Sequence, residues 1–246
     1  VLFRSIGVGG REIGFMFGML KKLHSKYEAG SLTGKGIEFG GSLIRPEATG
    51  YGTVYFCQEM LQDLRARSMA NLRCAVSGSG NVSQYCIEKL LQLGAVPLTC
   101  SDSAGCLYFE EGMTREDLDT LMELKNVKRG RLSTLDGANF GGRKVTYHAG
   151  QKPWEVVNNV DAAFPCATQN EINKGEAEML VAKGMFMLGE GANMPSDAAA
   201  IEVYKQAKVL YGPAKAANAG GVATSGLEMS QNSARLSWTR EEVHEI

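Results

Sequence analysis

Six consecutive residues, Gly78-Ser79-Gly80-Asn81-Val82-Ser83, have the types and spacing that can hold a diphosphate. Gly78 permits a tight turn. Gly80 lets the backbone come close to a pyrophosphate, where a Cβ would block it. Ser83 stands where a third Gly or Ala is usual and is small enough for a helix to pack on a strand. Free amides at the start of a helix, here Asn81 and Val82, would face the phosphates, and the helix dipole favours their negative charge. Asp102 follows Gly80 by about 20 residues, the place of a carboxylate that bonds a ribose hydroxyl. Such an acid repels a 2′-phosphate. Lys125, Lys128, Arg129 and Arg131 form a basic cluster further on, which either pairs a phosphate or is a solvated surface.

A Gly-x-Gly turn is weak evidence alone, so the elements around it decide its weight. Residues 72–77 are a short apolar run and predict a strand. Residues 82–93 have helical spacing, with Gly94 as the closing residue. Residues 96–100 predict a second strand. Strand, glycine turn, helix and strand within about 30 residues make a βαβ unit. S-adenosylmethionine-dependent methyltransferases share this context, so the motif alone does not choose a cofactor.

Upstream, Ile13, Phe15, Met16, Met19, Leu20 and Leu23 predict a helix over 11–27. A glycine-rich loop spans 30–41, and Pro46 and Glu47 open a second helix. Downstream, Thr114 caps a helix over 114–125. Strands at 160–164, 185–188 and 209–211 alternate with helices at 170–183 and 196–208. After a loop at 218–222, residues 223–246 predict one more helix. Alternation of this kind specifies an α/β, doubly wound, Rossmann-like domain with a mostly parallel sheet covered on both faces, accompanied by further helices.

Composition narrows the function. The chain has 246 residues and a net charge of -1, so no basic excess points to nucleic acid or an anionic membrane. Six cysteines include no C-x-x-C pair, and the three histidines lie away from them, which argues against zinc. The expectation is buried free thiols in a reducing cytoplasm. No apolar run approaches the length of a membrane span. The opening Val1 to Ser5 and the helical pattern at 240–246 read as the ends of a piece cut from a longer chain.

Several blocks carry a more specific resemblance: Ile6-Gly-Val-Gly-Gly-Arg-Glu12, Thr33-Gly-Lys-Gly36, Gly40-Gly-Ser-Leu-Ile-Arg-Pro-Glu-Ala-Thr-Gly-Tyr-Gly52, Ser77-Gly-Ser-Gly-Asn-Val82, Pro165-Cys-Ala-Thr-Gln-Asn-Glu171, Glu190-Gly-Ala-Asn-Met-Pro195 and Lys215-Ala-Ala-Asn-Ala-Gly-Gly-Val-Ala-Thr-Ser-Gly-Leu-Glu228. In this order they resemble the hexameric-type glutamate dehydrogenases over residues 6–246. The resemblance implies reversible conversion of L-glutamate to 2-oxoglutarate and ammonia, with hydride exchanged with a nicotinamide coenzyme, in a longer protein that forms a homohexamer. Ser101-Asp-Ser103 and the basic cluster look more like the NADP-linked branch, with NAD the alternative. Amino-acid dehydrogenases acting on leucine, valine or phenylalanine, and a noncatalytic dinucleotide-binding module, are the competing readings.

Residue by residue, the resemblance places Thr49 near the nicotinamide amide and Asn81 on the dinucleotide. It places Ala167, Thr168, Asn193 and Asn218 in strand-end loops beside the coenzyme, and Ser225 on the substrate's distal carboxylate. Residues 1–45 would be a substrate-domain remnant and hinge, 46–222 the dinucleotide-binding domain, and 223–246 the start of a helix returning to the substrate domain. The family's catalytic lysine has no counterpart here; Lys35 matches a different lysine and is given no catalytic role. Ser5 occupies the position of the catalytic aspartate, and a hydroxyl cannot replace a carboxylate in proton transfer at neutral pH. The chain is therefore expected to bind coenzyme and turn over negligibly.

Overall fold

The computed structural model describes residues 7–246. In chain order its elements are α1 (Gly10–His24), α2 (Ala48–Arg65), β1 (Arg73–Val76), α3 (Asn81–Gln92), β2 (Val96–Pro97), β3 (Thr99–Asp102), β4 (Gly105–Phe109), α4 (Arg115–Met122), β5 (Val145–Ala149), α5 (Pro153–Val156), β6 (Ala162–Phe164), α6 (Lys174–Ala182), β7 (Met187–Gly189), α7 (Ala198–Gln206), β8 (Leu210–Gly212), α8 (Ala214–Ala217), α9 (Gly220–Ala234) and α10 (Arg240–Glu245). They divide into two compact units. One comprises the chain up to Thr49 together with Gly220–Ile246, and the other is Gly50–Ala219.

The larger unit is built on a five-stranded sheet of order β2-β1-β6-β7-β8, parallel throughout. Side chains alternate across a strand, so each strand serves two cores. Cys74 and Val76 of β1 join one cluster with Val54, Leu61 and Ile87, while Ala75 between them joins a second with Trp154, Leu180 and Tyr204. Ala163 and Leu188 repeat this division on β6 and β7. Two buried faces require helices on both, which is the doubly wound arrangement the alternating pattern predicts. The chain leaves β1 toward β2 on one side and returns through β6, β7 and β8 on the other. The order of strands therefore reverses between β1 and β6, and a crevice opens at their carboxyl ends.

Three features depart from the sequence expectation. The strand expected at 96–100 divides: β2 pairs with β1, whereas β3 starts a separate antiparallel sheet of order β3-β4-β5. The strands β4 and β5 carry no helix–strand alternation to announce them. A tight hairpin, with Asp102 opposite Gly105, folds β4 back on β3, and β5 returns from farther along the chain to pair with β4. Last, the helix expected from 223 onward is broken. Arg235 takes a left-handed φ of 56° after α9, and α10 restarts at a capping box between Thr239 and Glu242.

In the smaller unit, Ile13 and Phe17 of α1 pack with Leu32. The opposite stripe of α1, Phe15, Met19 and Leu23, is exposed. A buried ion pair ties the 33–36 loop to α9: Lys35 Nζ lies 2.5 Å from Glu228 Oε1 and 3.0 Å from Asn232 Oδ1, and the Gly34 amide donates to Glu228 Oε2 at 2.8 Å. Neither charged side chain has any exposure.

Candidate functional site

The crevice of the larger unit begins at the turn after β1. Gly78 has φ +85°, and a Cβ there would stand 3.0 Å from the Cys166 carbonyl oxygen. A side chain is excluded both by the backbone and by the neighbouring loop. Gly80 is different. It has an extended φ of -92° at the N-cap of α3, and a Cβ on it would meet no atom within 4 Å. Nothing in the protein's own packing requires glycine at 80. Asn81 and Val82 form the first turn of α3 at this point. Ser83 is buried, as the packing argument requires, and its hydroxyl donates to the Gly80 carbonyl at 2.9 Å.

The turn is bolted to its neighbours. The Gly78 amide donates to Ser101 Oγ at 2.9 Å, and the Ser101 amide returns to the Gly78 carbonyl at 3.0 Å. Ser77 Oγ accepts from the Cys166 amide at 2.8 Å, joining the ends of β1 and β6. The loop after β6 holds Ala167 and Thr168, whose amides both donate to Glu171 Oε1, at 3.1 and 3.3 Å. Burial raises the Glu171 pKa, against opposing bonds from Ser77 and these two amides. The loop after β7 is tied in as well: the Gly191 and Ala192 amides donate to the Pro165 carbonyl at 3.1 and 2.9 Å. Asn218 Nδ2 donates to Asn193 Oδ1 at 3.0 Å, with the Gly191 carbonyl also in reach. The structure thus gathers Gly78, Gly80, Asn81, Val82, Ala167, Thr168, Asn193 and Asn218 at the strand ends of one unit.

Asp102 turns inward. One carboxylate oxygen accepts from the Ala104 amide and the other from the Leu132 amide, each at 2.9 Å, with Lys125 Nζ 3.7 Å away. Its side chain is 8% exposed, which places it as an organiser of the loops around it. The basic cluster also divides. Lys125 faces Asp102 and Lys128 pairs with Glu123. Arg131 Nη1 donates to Ser103 Oγ at 2.6 Å, a neutral partner.

Thr49 and Ser225 belong to the smaller unit. Ser225 is fully buried; its hydroxyl accepts from Arg45 Nε at 2.7 Å and donates to the Gly221 carbonyl at 3.0 Å. A Cβ on Gly221 would collide with the Thr49 hydroxyl, so Thr49, Gly221, Arg45 and Ser225 form one cluster. The Ser5 position lies outside the described residues. All six cysteines are free and buried, and burial pushes the Cys100 thiol up to about 12. Among the described residues no group of His, Cys, Asp and Glu is arranged to hold a metal, and no helix is long and apolar enough to cross a membrane.

Sequence reasoning did not single out Arg45, Gln84, Asn126, Glu171 or Glu190. Arg45, Glu171 and Glu190 sit inside the quoted blocks; Glu171 accepts from amides three and four residues away, while Arg45 and Glu190 meet partners far along the chain, which no local spacing reports. Glu190, for example, accepts from the Ala214 amide at 2.9 Å.

The model for the Glutamate/Leucine/Phenylalanine/Valine dehydrogenase family matches residues 40–246. The NAD(P)-specific glutamate dehydrogenase of Xylanibacter ruminicola is 60% identical over 238 residues, 97% of this chain and 52% of its own. The NADP-specific glutamate dehydrogenase of Escherichia coli is 53% identical over 238 residues, again 97% of this chain and 52% of its own. The crystal structure of Plasmodium falciparum glutamate dehydrogenase superposes with a TM-score of 0.91 at 47% identity, covering 99% of this chain and 50% of that one. The chain spans about half the length of the curated relatives it matches.

Proposed function

The chain belongs to the glutamate/leucine/phenylalanine/valine dehydrogenase family, and we propose that it supplies the coenzyme-binding part of an NADP-preferring glutamate dehydrogenase. The longer protein would interconvert L-glutamate and 2-oxoglutarate with ammonia, as a cytoplasmic homohexamer. The observation that carries the proposal is Gly80: a glycine that neither its backbone angle nor its surroundings require, at the N-cap of α3 beside the reversal of strand order. A ligand that must touch the main chain there explains it.

The residues present fit a dinucleotide. Gly78 sets the turn, Gly80 allows close approach, and the amides of Asn81 and Val82 present donors to a diphosphate. Ala167, Thr168, Asn193 and Asn218 would border the nicotinamide end. When bound, the coenzyme accepts or returns a hydride at the substrate's α-carbon. Asp102 accepts from the Ala104 and Leu132 amides and keeps lone pairs for a ribose hydroxyl, and Ser103 and Arg131 beside it are the groups that suit a 2′-phosphate. Ser225 would meet the substrate's distal carboxylate by turning its hydrogen away from Gly221, and the Arg45 guanidinium beside it supplies the matching charge. No residue of this chain is assigned the proton-transfer role, so the property proposed for it is binding.

Fluorescence titration of NADPH tests this against Gly80→Ala. Affinity should fall roughly tenfold or more, while the unfolding free energy stays within about 0.5 kcal/mol. Unchanged NADPH affinity in the variant would remove the proposal's main support.

A further inference from the structure

We propose that Gln84 and Asn126 are positioning residues that set the preference between phosphorylated and unphosphorylated coenzyme, by fixing how far the basic segment lies from the glycine turn. This rests on the reading of that turn as a dinucleotide site.

After α4 the chain widens into a π-helical turn, Glu123–Lys128, and leaves it through Arg129 in a left-handed conformation of φ 55°. Turns of this kind cost backbone energy and cluster at functional sites. The segment that follows carries Arg131. Three connections frame it. On one side Asp102 accepts from the Leu132 amide and faces Lys125, which in turn donates to the Gly130 carbonyl at 2.9 Å. On a second side Ser101, next to Asp102, exchanges two hydrogen bonds with Gly78. The third side is a reciprocal carboxamide pair. Gln84 Nε2 donates to Asn126 Oδ1 at 3.1 Å, and Asn126 Nδ2 donates back to Gln84 Oε1 at 2.9 Å.

Gln84 is 1% exposed, and its Nε2 also donates at 2.8 Å to the carbonyl of Ser79, inside the glycine turn itself. One side chain therefore holds both the diphosphate turn and the π-helical turn. A 2′-phosphate and a diphosphate sit at a set spacing within one coenzyme molecule. A rigid distance between Arg131 and the turn therefore favours the phosphorylated form only while that distance is held. The unphosphorylated coenzyme makes no demand on Arg131, so loosening this side should leave its affinity alone. Lys128 and Glu123 pair with each other at the surface and contribute no tie to the turn.

The test compares NADPH and NADH affinity in the full chain for Asn126→Ala, Gln84→Leu and the double variant. Asn126 is exposed, so its truncation keeps the question answerable should Gln84→Leu fail to fold. For Asn126→Ala the expected result is a roughly five- to tenfold loss for NADPH, with NADH within about twofold. The double variant should lose no more than the larger single loss, the mark of two residues acting as one. Equal weakening of both coenzymes in Asn126→Ala, which leaves the Gln84 bond to Ser79 in place, overturns the proposal, as does unmoved NADPH affinity in that variant. A parent chain that binds neither coenzyme overturns the dinucleotide reading itself, and this inference with it.

Discussion

The glycine turn of the larger unit and the Lys35–Glu228 region of the smaller one solve opposite problems. At the turn, Gly80 is open on its Cβ side at the N-cap of α3, with no side-chain capping bond. Around Lys35, both charges are spent inward: the ammonium on Glu228, Asn232 and the Leu32 carbonyl, the carboxylate on Lys35 and the Gly34 amide. A buried charge must be matched in place or the unit loses more than the pair contributes. An open turn need only keep its shape. The difference separates residues kept for stability from residues kept for binding, although both stretches are glycine-rich and look alike in sequence.

The largest effect expected from this contrast is at the ion pair. Lys35→Met leaves Glu228 buried without its cation and should cost about 3–5 kcal/mol in denaturant unfolding. Lys35→Met combined with Glu228→Leu should recover much of that loss. A single variant as stable as the parent would show that the pair is not a structural strut. A smaller effect is expected at Gly78→Ala, where the left-handed backbone and the Cys166 carbonyl both resist a side chain. It should cost about 1–3 kcal/mol and also weaken coenzyme binding, unlike Gly80→Ala, which should touch binding alone. Should the two glycine variants behave alike, the distinction between turn geometry and ligand approach would fail.

The smallest effect concerns pH. Burial raises the Glu171 pKa above its ordinary carboxylate value. Between the unfolded value and the raised folded value the native state holds more protons, so stability falls as pH rises through that window. Glu171→Gln should flatten this slope while still accepting from the Ala167 and Thr168 amides. Unfolding curves at several pH values through and above the carboxylate range would check it; a slope identical in parent and variant would assign the pH dependence elsewhere.

The parallel part of the fold was legible because each of its pieces is local. A strand, a glycine turn, a capped helix and a strand occupy neighbouring residues, and the 2-versus-3.6 periodicity distinguishes them. Asn173 and Thr114 mark their helices through bonds three residues away. The antiparallel sheet was not legible. Its strands β4 and β5 lie 35 or more residues apart and meet only through pairing such as Leu107 with Tyr147. Asp102 shows the same limit at the scale of one residue. Its spacing from Gly80 suits a ribose acid, but which partners it meets depends on where the chain at 132 returns.

By itself, the sequence determined the class of the fold, the glycine turn between β1 and α3 and the blocks that carry the family, because each depends on residue types at short, fixed spacing. Tertiary structure alone decided which amides Asp102 and Glu190 accept from, that Arg131 meets Ser103, and that Gln84 and Ser225 hold partners from distant stretches. Those outcomes follow from hydrogen-bond distances between segments brought together by burial, and such distances are not written in any local pattern of residues.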